Sequence, residues 1–466
     1  MFVERFEDKG LSQYSYAVAC EGQGVCAIVD PRRDVDVYLE FAAARGLAIS
    51  HVLETHIHAD FASGARELAE RTGAALCLSA YDTGELYETA FPHTELHDGD
   101  VIAFGAVRIV ARHTPGHTPE HLAFLVYDTS RSADVPMVML SGDFVFVGSL
   151  GRPDLLGEEA KVGLARRLYH SVRTVLPGLP DGLEIAPGHG AGSMCGAGMS
   201  GRAVSTLGFE RVANPFLRDL TEEAFVAQIL GTVPPFPDSY RRMKVLNAAG
   251  PPTLNGLPGL VPVPLAQFRD LAARDHVVVD LRDQLSFGAG HVAGAFGLGG
   301  GQNLSTWASW TLPYDRPLLL VGVDDAQLEG AVRSLVRVGL DDVRGYLAGG
   351  IDSWVKAGWP LAQTAQIAPQ TLAERLAQGD DIRVLDVRND GEWRSGHIDG
   401  AEHVMCGHLP AHLDDYRDGR PIAIVCGGGY RSTVAASLFE RAGITNVLNV
   451  TGGMAAWNRV VRPQAT

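Results

Sequence analysis

The sequence predicts an α/β protein of several domains, and three observations point there. Short β-rich runs alternate with helical stretches through the first half, a Pro- and Gly-rich stretch interrupts the middle, and the second half repeats itself. Alternating strand and helix signals mark strands connected by crossover helices. At 466 residues the chain also exceeds what one hydrophobic core organises, so two to four domains are expected.

In chain order, Ala17-Val18-Ala19 and Val25-Cys26-Ala27-Ile28-Val29 read as strands and Val37-Tyr38-Leu39-Glu40-Phe41 as a helix. Four further apolar runs each end in a polar turn: Ile49 to Thr55, Val107 to Arg112, Val138 to Gly142 and Leu183 to Ala186. From Gly231 to Pro264 the composition shifts to Pro and Gly, which reads as a linker with a boundary near residue 250. Beyond it, Val277-Val278-Val279-Asp280-Leu281-Arg282 and Gly290-His291-Val292 recur 106 positions later as Arg383-Val384-Leu385-Asp386-Val387-Arg388 and Gly396-His397-Ile398. The Gly349-Gly350 to Trp354 run recurs as Gly452-Gly453 to Trp457, 103 positions on. A repeat this long exceeds the roughly 20 to 50 residues of a solenoid unit and means duplicated domains. The expected division is 1–250, 251–365 and 366–466.

Composition narrows the function classes. With 46% hydrophobic and 20% charged residues the chain is ordinary for a globular protein, and a net charge of −16 disfavours nucleic acid and anionic membrane as partners. The N-terminus alternates charges without an apolar segment, and no run of about 18 apolar residues occurs, so a cytoplasmic protein is expected. The six cysteines form no C-x-x-C pair, which argues against a disulfide framework or a structural zinc site.

The four polar turns carry candidate metal ligands: His56, His58 and Asp60 in Thr55-His56-Ile57-His58-Ala59-Asp60-Phe61, His117 in Thr114-Pro115-Gly116-His117-Thr118, Asp143 after Ser141-Gly142, and His189 in Pro187-Gly188-His189-Gly190. Open α/β sheets bind ligands at the carboxyl ends of their strands. Position 61 is Phe, which has no lone pair, so one metal is favoured, and one metal suggests redox chemistry rather than hydrolysis. His93, His97, His113, His121 and His170 read as solvated or structural; His121 would sit near His117 if a helix began after Pro119.

This set, in this order, resembles the metallo-β-lactamase fold superfamily, and within it the persulfide dioxygenases. The resemblance implies an αββα sandwich holding one mononuclear Fe(II) on His56, His117 and Asp143, with His58, Asp60 and His189 surrounding them, and Arg152 fixing the loop after Asp143. Two histidines and one carboxylate leave positions open for a substrate sulfur and dioxygen. The rival is a zinc thioester hydrolase of the glyoxalase II kind, whose second metal would need Asp60, His189 and a ligand that Phe61 does not supply.

In the last segment, Pro421-Ile422-Ala423-Ile424-Val425 leads into Cys426-Gly427-Gly428-Gly429-Tyr430-Arg431-Ser432 and a helix. Glycines let successive N–H groups point inward, and such a nest before a helix N-terminus stabilises a thiolate. The run resembles the rhodanese sulfurtransferases, which implies Cys426 as persulfide carrier and Arg431 as the loop arginine, with Asp386, Arg388, Glu392 and Trp393 structural. Cys77 and Cys406 read as buried small hydrophobes. The preceding copy has Gly322 and Gln327 at the two loop positions, with Asp324 and Asp325 between them, so no sulfur is carried there and a scaffold or interface module is expected.

Over the whole chain the order resembles fused persulfide dioxygenase-sulfurtransferases of sulfide detoxification. That implies oxidation of a low-molecular-weight thiol persulfide by O2 to sulfite, then sulfur transfer from Cys426 to sulfite giving thiosulfate, in a homodimer or homotetramer. Similar fusions carry cysteines at Cys20 and Cys195, for which channel roles and plain packing both stand. Arg241 and Lys244 read either as contacts to a thiol carrier or as a solvated basic turn. A persulfide carrier or sensor with a structural metal is the non-enzymatic alternative. Which thiol is used is not written in the sequence.

Overall fold

A computed structural model describes residues 1–461, which separate into two compact units, one of Met1–Leu257 with Val336–Gly339 and one of the remaining residues from Pro258 onward. The first unit is a pair of six-stranded sheets. In one, Phe2–Asp8, Gln13–Cys20, Val25–Val29, Ala48–Leu53, Ala75–Ser79 and Thr94–Leu96 lie in that order, antiparallel up to the third strand and parallel after it. In the other the order is Ser205–Thr206, Glu184–Pro187, Val138–Gly142, Leu122–Asp128, Val107–His113 and Val101–Phe104, with a parallel pair between Glu184–Pro187 and Val138–Gly142.

Side-chain alternation sorts these strands into four layers. Along Leu122–Asp128, Leu122, Phe124 and Val126 face a core shared with Val18, Leu53 and Val29 of the other sheet. Ala123 and Leu125 face the opposite way, onto Leu168 and Val172 of helix Lys161–Val175 and Phe225 of helix Glu222–Gly231. The outer face of the first sheet, with Ala17, Ile28 and Val52, is covered by Tyr38 of helix Asp36–Ala44 and Leu68 of helix Ala65–Thr72. Strands covered on both faces read as continuous apolar runs, which is why those at Val25–Val29, Ala48–Leu53, Val107–His113, Val138–Gly142 and Glu184–Pro187 were visible in the sequence, whereas Leu122–Asp128 and Ala75–Ser79 were not read there. Completely buried Phe124 lies in the shared core, where truncation to Ala costs ~3–5 kcal/mol.

The second unit holds two five-stranded parallel sheets. Their orders are Pro262–Val263, Val343–Leu347, Leu318–Val321, Val277–Asp280, Phe296–Gly297, and Ala365–Ile367, Val447–Val450, Ile422–Val425, Arg383–Asp386, Glu402–His403. The repeated D-x-R segments do the same structural work in each. Asp280 pairs with Arg282, whose Nη2 donates to Gly290 O at 2.7 Å, and Asp386 pairs with Arg388, whose Nη2 donates to Gly396 O at 2.6 Å. No helix among the described residues is long and apolar enough to cross a membrane.

Two expectations need correction. The Pro- and Gly-rich stretch taken as a linker contains a three-turn helix, Asp238–Ala249, entered through Pro237 in extended conformation and left at Gly250 with φ 82°. And no helix begins after Pro119: strand Leu122–Asp128 follows, yet the His117 and His121 rings lie 6.3 Å apart because the turn between them is tight.

Candidate functional site

All four polar turns meet at one edge of the sandwich. Asp30, directly after strand Val25–Val29, sits in the left-handed region (φ 52°) that Asp tolerates better than most residues. Its carboxylate accepts the Thr55 N–H at 2.7 Å and the Thr55 hydroxyl at 2.9 Å, and contacts His58 Nε2 at 3.2 Å. The Thr55 hydroxyl proton is thereby committed to Asp30, so Thr55 Oγ1 accepts from His56 Nδ1 at 2.9 Å. That fixes the His56 tautomer and leaves its Nε2 with a lone pair. His117 is fixed likewise, its Nδ1 donating to Arg152 O at 2.8 Å.

His56, His117 and Asp143 converge. Their free atoms, Nε2, Nε2 and Oδ2, lie within 4.8 Å of one another, with His117 Nε2 at 3.2 Å and His56 Nε2 at 4.0 Å from the carboxylate oxygen. All three side chains are buried and none of the three atoms has a hydrogen-bond partner. Burial pushes both imidazoles well below the usual histidine range, so they are neutral donors. Three orphaned polar atoms in one place cost about 1–3 kcal/mol each, and a cation satisfies all three. The donor set therefore fits a divalent transition-metal ion. Glycines make room: a Cβ at Gly151 would stand 2.0 Å from Asp143 O, and one at Gly188 would stand 2.8 Å from Asp143 Oδ1.

A second cluster, Asp60, His189 and Cys195, adjoins the first. His189 bonds Asp143 Oδ1 through Nδ1 at 2.7 Å and Asp60 Oδ2 through Nε2 at 2.8 Å. Burial opposes its charge, but the Asp143 and Asp60 carboxylates outweigh that and hold it well above the ordinary histidine value. With both ring nitrogens hydrogen-bonded to carboxylate oxygens, His189 turns no free nitrogen toward a second cation. Phe61, next to Asp60 in sequence, is fully buried, its ring 4.3 Å from that of His58. Burial opposes the His58 charge too, but Asp30 outweighs it and the value rises. The Cys195 thiol, 3.7 Å from Tyr240 Oη, is held protonated by burial.

The surroundings include two residues that sequence reasoning did not single out, Glu120 and Asn247, beside His121, which it read as structural. His121 accepts the Asp143 N–H on Nε2 at 3.0 Å and donates from Nδ1 to Thr114 Oγ1 at 2.7 Å, so it positions the carboxylate's backbone instead of binding metal. Glu120 accepts the Ile57 N–H at 3.0 Å, and Asn247 donates to both His58 O and Phe61 O at 2.8 Å. Lys244 is not on a solvated turn. It is 1% exposed on helix Asp238–Ala249, where it donates to Ile57 O at 2.9 Å and faces Glu120 at 3.7 Å. The Pro-rich flanks masked that helix; its apolar and polar positions, Tyr240, Met243, Lys244 and Asn247, are the signal that it packs. Arg241 is exposed, over the Phe236 ring at 5.6 Å. Fully buried Arg152 pairs with Asp154 and donates to Met194 O and Pro234 O, tying the loop after Asp143 to two other segments. Cys20 does not join the cluster. Gln13, at the other end of the same strand, reaches Asp30 O, and eight extended residues put Cys20 about 23 Å away.

In the second unit, strand Ile422–Val425 ends at Cys426, which is 1% exposed, and Gly429 N–H donates to its Sγ at 3.0 Å. Gly429 is left-handed (φ 110°) and caps helix Tyr430–Arg441, whose N-terminus faces the sulfur loop. Arg431 forms a two-pronged pair with Glu392 at 2.5 and 2.7 Å. Burial lowers the arginine's hold on its proton, but Glu392 outweighs it. In the other copy the Gln327 amide fills the corresponding loop, donating to Leu281 O and accepting from Val323 N, while Asp324 caps the helix.

A four-layer αββα sandwich with a buried two-histidine, one-carboxylate pocket at its edge defines the metallo-β-lactamase class. The metallo-beta-lactamase superfamily model matches residues 8–191, and the rhodanese-like domain model matches residues 265–357 and 368–460. A probable metallo-hydrolase of Burkholderia pseudomallei is 33% identical over 260 residues, 49% of this chain and 84% of that protein. The mitochondrial persulfide dioxygenase of Mus musculus is 29% identical over 227 residues, 47% of this chain and 77% of that protein. Among solved structures, a metallo-beta-lactamase from Staphylococcus aureus subsp. aureus COL matches with a TM-score of 0.68 and 34% identity, covering 74% of this chain and 99% of that one. The chain belongs to the metallo-β-lactamase superfamily, with two rhodanese-like domains following the metal-binding domain.

Proposed function

We propose that the chain is a persulfide dioxygenase, using one Fe(II) on His56, His117 and Asp143, joined to a thiosulfate-forming sulfurtransferase that works through Cys426. The observation that carries the reading is the doubly engaged His189. With both its nitrogens engaged, the free donors that converge are His56 Nε2, His117 Nε2 and Asp143 Oδ2, while the unpaired His58 Nδ1 and Asp60 Oδ1 stand outside that trio, and two histidines with one carboxylate suit a non-heme iron with open positions. Persulfide dioxygenase relatives and the pair of rhodanese-like domains support the pairing of activities.

The overall reaction is RSSH + O2 + H2O giving RSH + sulfite + 2 H⁺: the outer sulfur is oxidised, dioxygen is reduced, and the thiol leaves. Iron(II) bound at the triad supplies dioxygen activation and an electrophilic partner for the persulfide sulfur. The chain's own residues do the rest. Asp30 through Thr55, and Arg152 O, hold the two imidazoles in their donor tautomers. His189 and the His121-bound backbone hold Asp143 in place. In the second step the Cys426 thiolate takes the outer sulfur of a second thiol persulfide, whose S–S bond breaks to release the thiol, and the resulting Cys426 persulfide yields that sulfur to sulfite: the new bond joins the two sulfurs of thiosulfate, the Cys426 S–S bond breaks, and the electron pair returns to the cysteine thiolate. Gly429 N–H and the helix N-terminus stabilise that anion.

The zinc hydrolase reading draws support from the Burkholderia relative and from the Asp60, His189, Cys195 cluster, but requires His189 to give up one of its two carboxylate hydrogen bonds and has Phe61 where a further ligand would stand. Metal analysis of anaerobically purified protein, with oxygen-electrode traces on a panel of thiol persulfides, tests the proposal. One iron per chain and O2 uptake matched by sulfite are expected. Paired zinc with thioester hydrolysis and no O2 uptake would overturn it.

A further inference from the structure

The copy without a nucleophile makes contacts that sheer bulk does not require. Gln284, opening helix Gln284–Ala289, donates from Nε2 to Gly428 O at 3.2 Å. A Cβ on the adjoining Gly429 would stand 3.0 Å from the same amide. One residue further, Tyr430 donates its phenol to Leu298 O, and its ring rests on Gly299, where a Cβ would approach to 3.3 Å. Gly428, Gly429 and Tyr430 are three of the four residues between Cys426 and Arg431. The middle one supplies the N–H that bonds the Cys426 sulfur. These contacts span an opening instead of packed side chains: a cavity of about 340 Å³ lies there, lined by Gln284, Leu285, Gly299, Gln327, Tyr430 and Thr433. The active copy holds the far side of the loop, Met454 and Ala455 N–H donating to Cys426 O and Gly427 O and the Ser432 and Thr433 hydroxyls to Gly429 O, and on the cavity side the two hydrogen bonds with the first copy bear on Gly428 and Tyr430.

We propose that Gln284 and the Leu298 carbonyl are positioning groups for sulfur transfer, holding Gly428 and Tyr430 so that the Gly429 N–H stays aimed at the Cys426 sulfur. The catalytic consequence rests on the sulfurtransferase reading; the positioning itself is tested on the thiol. In the full-length protein, iodoacetamide alkylation of Cys426 is followed against pH by mass spectrometry of its peptide, in wild type, Gln284→Met, Tyr430→Phe and, as a remote comparison, Gln363→Ala, whose amide bonds Ala289 O. Gln284→Met keeps the bulk without the donor, and Tyr430→Phe keeps the ring without the hydroxyl. Losing one bond to the loop raises the titration midpoint and cuts the thiolate fraction at pH 7 about threefold to tenfold in both. Gln363→Ala leaves it unchanged. The midpoint separates positioning from simple exposure, since a loosened loop alone speeds alkylation at every pH. Should Gln284→Met unfold the copy, Tyr430→Phe decides. A midpoint equal to wild type in the folded variants, or an equal shift in Gln363→Ala, overturns the proposal. If instead Cys426→Ser still forms thiosulfate, the sulfurtransferase reading fails while the alkylation result stands.

Discussion

Replacing Lys244 by Met probes how the metal-bearing turn is held. The ammonium is 1% exposed, donates to Ile57 O at 2.9 Å and lies 3.7 Å from Glu120, itself 3% exposed and bonded to Ile57 N. The residue between His56 and His58 is thus clamped on both its backbone groups by one buried ion pair. Burial already pulls the lysine below its usual value, with Glu120 opposing. Methionine matches the stem's volume but leaves the Glu120 carboxylate buried without its countercharge, at ~3–5 kcal/mol. For a domain of this size that corresponds to a fall on the order of 10 °C in its calorimetric transition. Glu120→Gln combined with Lys244→Met removes both charges and restores much of the loss, so a coupling of about 2 kcal/mol emerges from the double-mutant cycle. The same variant weakens metal retention about 10- to 100-fold, as loss of an outer support does. Calorimetry and competitive metal titration read the two effects. A Lys244→Met protein as stable as wild type, or two single variants whose effects simply add, would refute the clamp.

Phe61→His is expected to leave metal content at one ion per chain by elemental analysis, because His189 stays committed to Asp60 and Asp143; two ions per chain would contradict that. Cys426→Ser abolishes thiosulfate formation while persulfide-dependent O2 uptake continues, as ion chromatography and an oxygen electrode can show together. Glu392 is drawn below the usual carboxylate value: burial raises it, and Arg431 more than compensates. A depressed folded-state value lends stability that is complete above the ordinary pKa of about 4.3 and lost as pH falls through the lower folded value. Wild type should therefore melt above Glu392→Gln near neutrality and converge with it in acid; parallel melting curves at every pH would dismiss the pairing.

Local patterns carried the architecture because local physics made it. Apolar runs covered on both faces and an H-x-H-x-D turn each lie within a few residues, and the repeated segments recur at offsets of 106 and 103, so several strands, the converging turns and the duplicated sheets were legible. What failed to show were supports arriving from far along the chain. Asn247 and Lys244 reach back nearly 190 positions to the metal turn from a helix hidden by flanking prolines. His117 and His121 are the same residue type four positions apart, and only the amide of Asp143, 22 positions on, makes one a backbone support while the other's lone pair stays free. Cys20 and Cys195 looked comparable by composition, yet strand direction sends one to the far edge of the sheet.

The filled loop of the first rhodanese-like copy bears on its history. A Cβ placed on Gly322 would come 2.9 Å from the Leu328 side chain, and the Gln327 amide has bonded itself across the cradle an arginine would face. Restoring the sulfur atom alone would set a thiol against the Leu328 side chain without an arginine at position 327. Revival would call for changes at Gly322, Gln327 and Leu328 together, so the loss is easier to keep than to undo, and what this copy offers its neighbour, through Gln284 and Leu298, outlasts the chemistry it lacks.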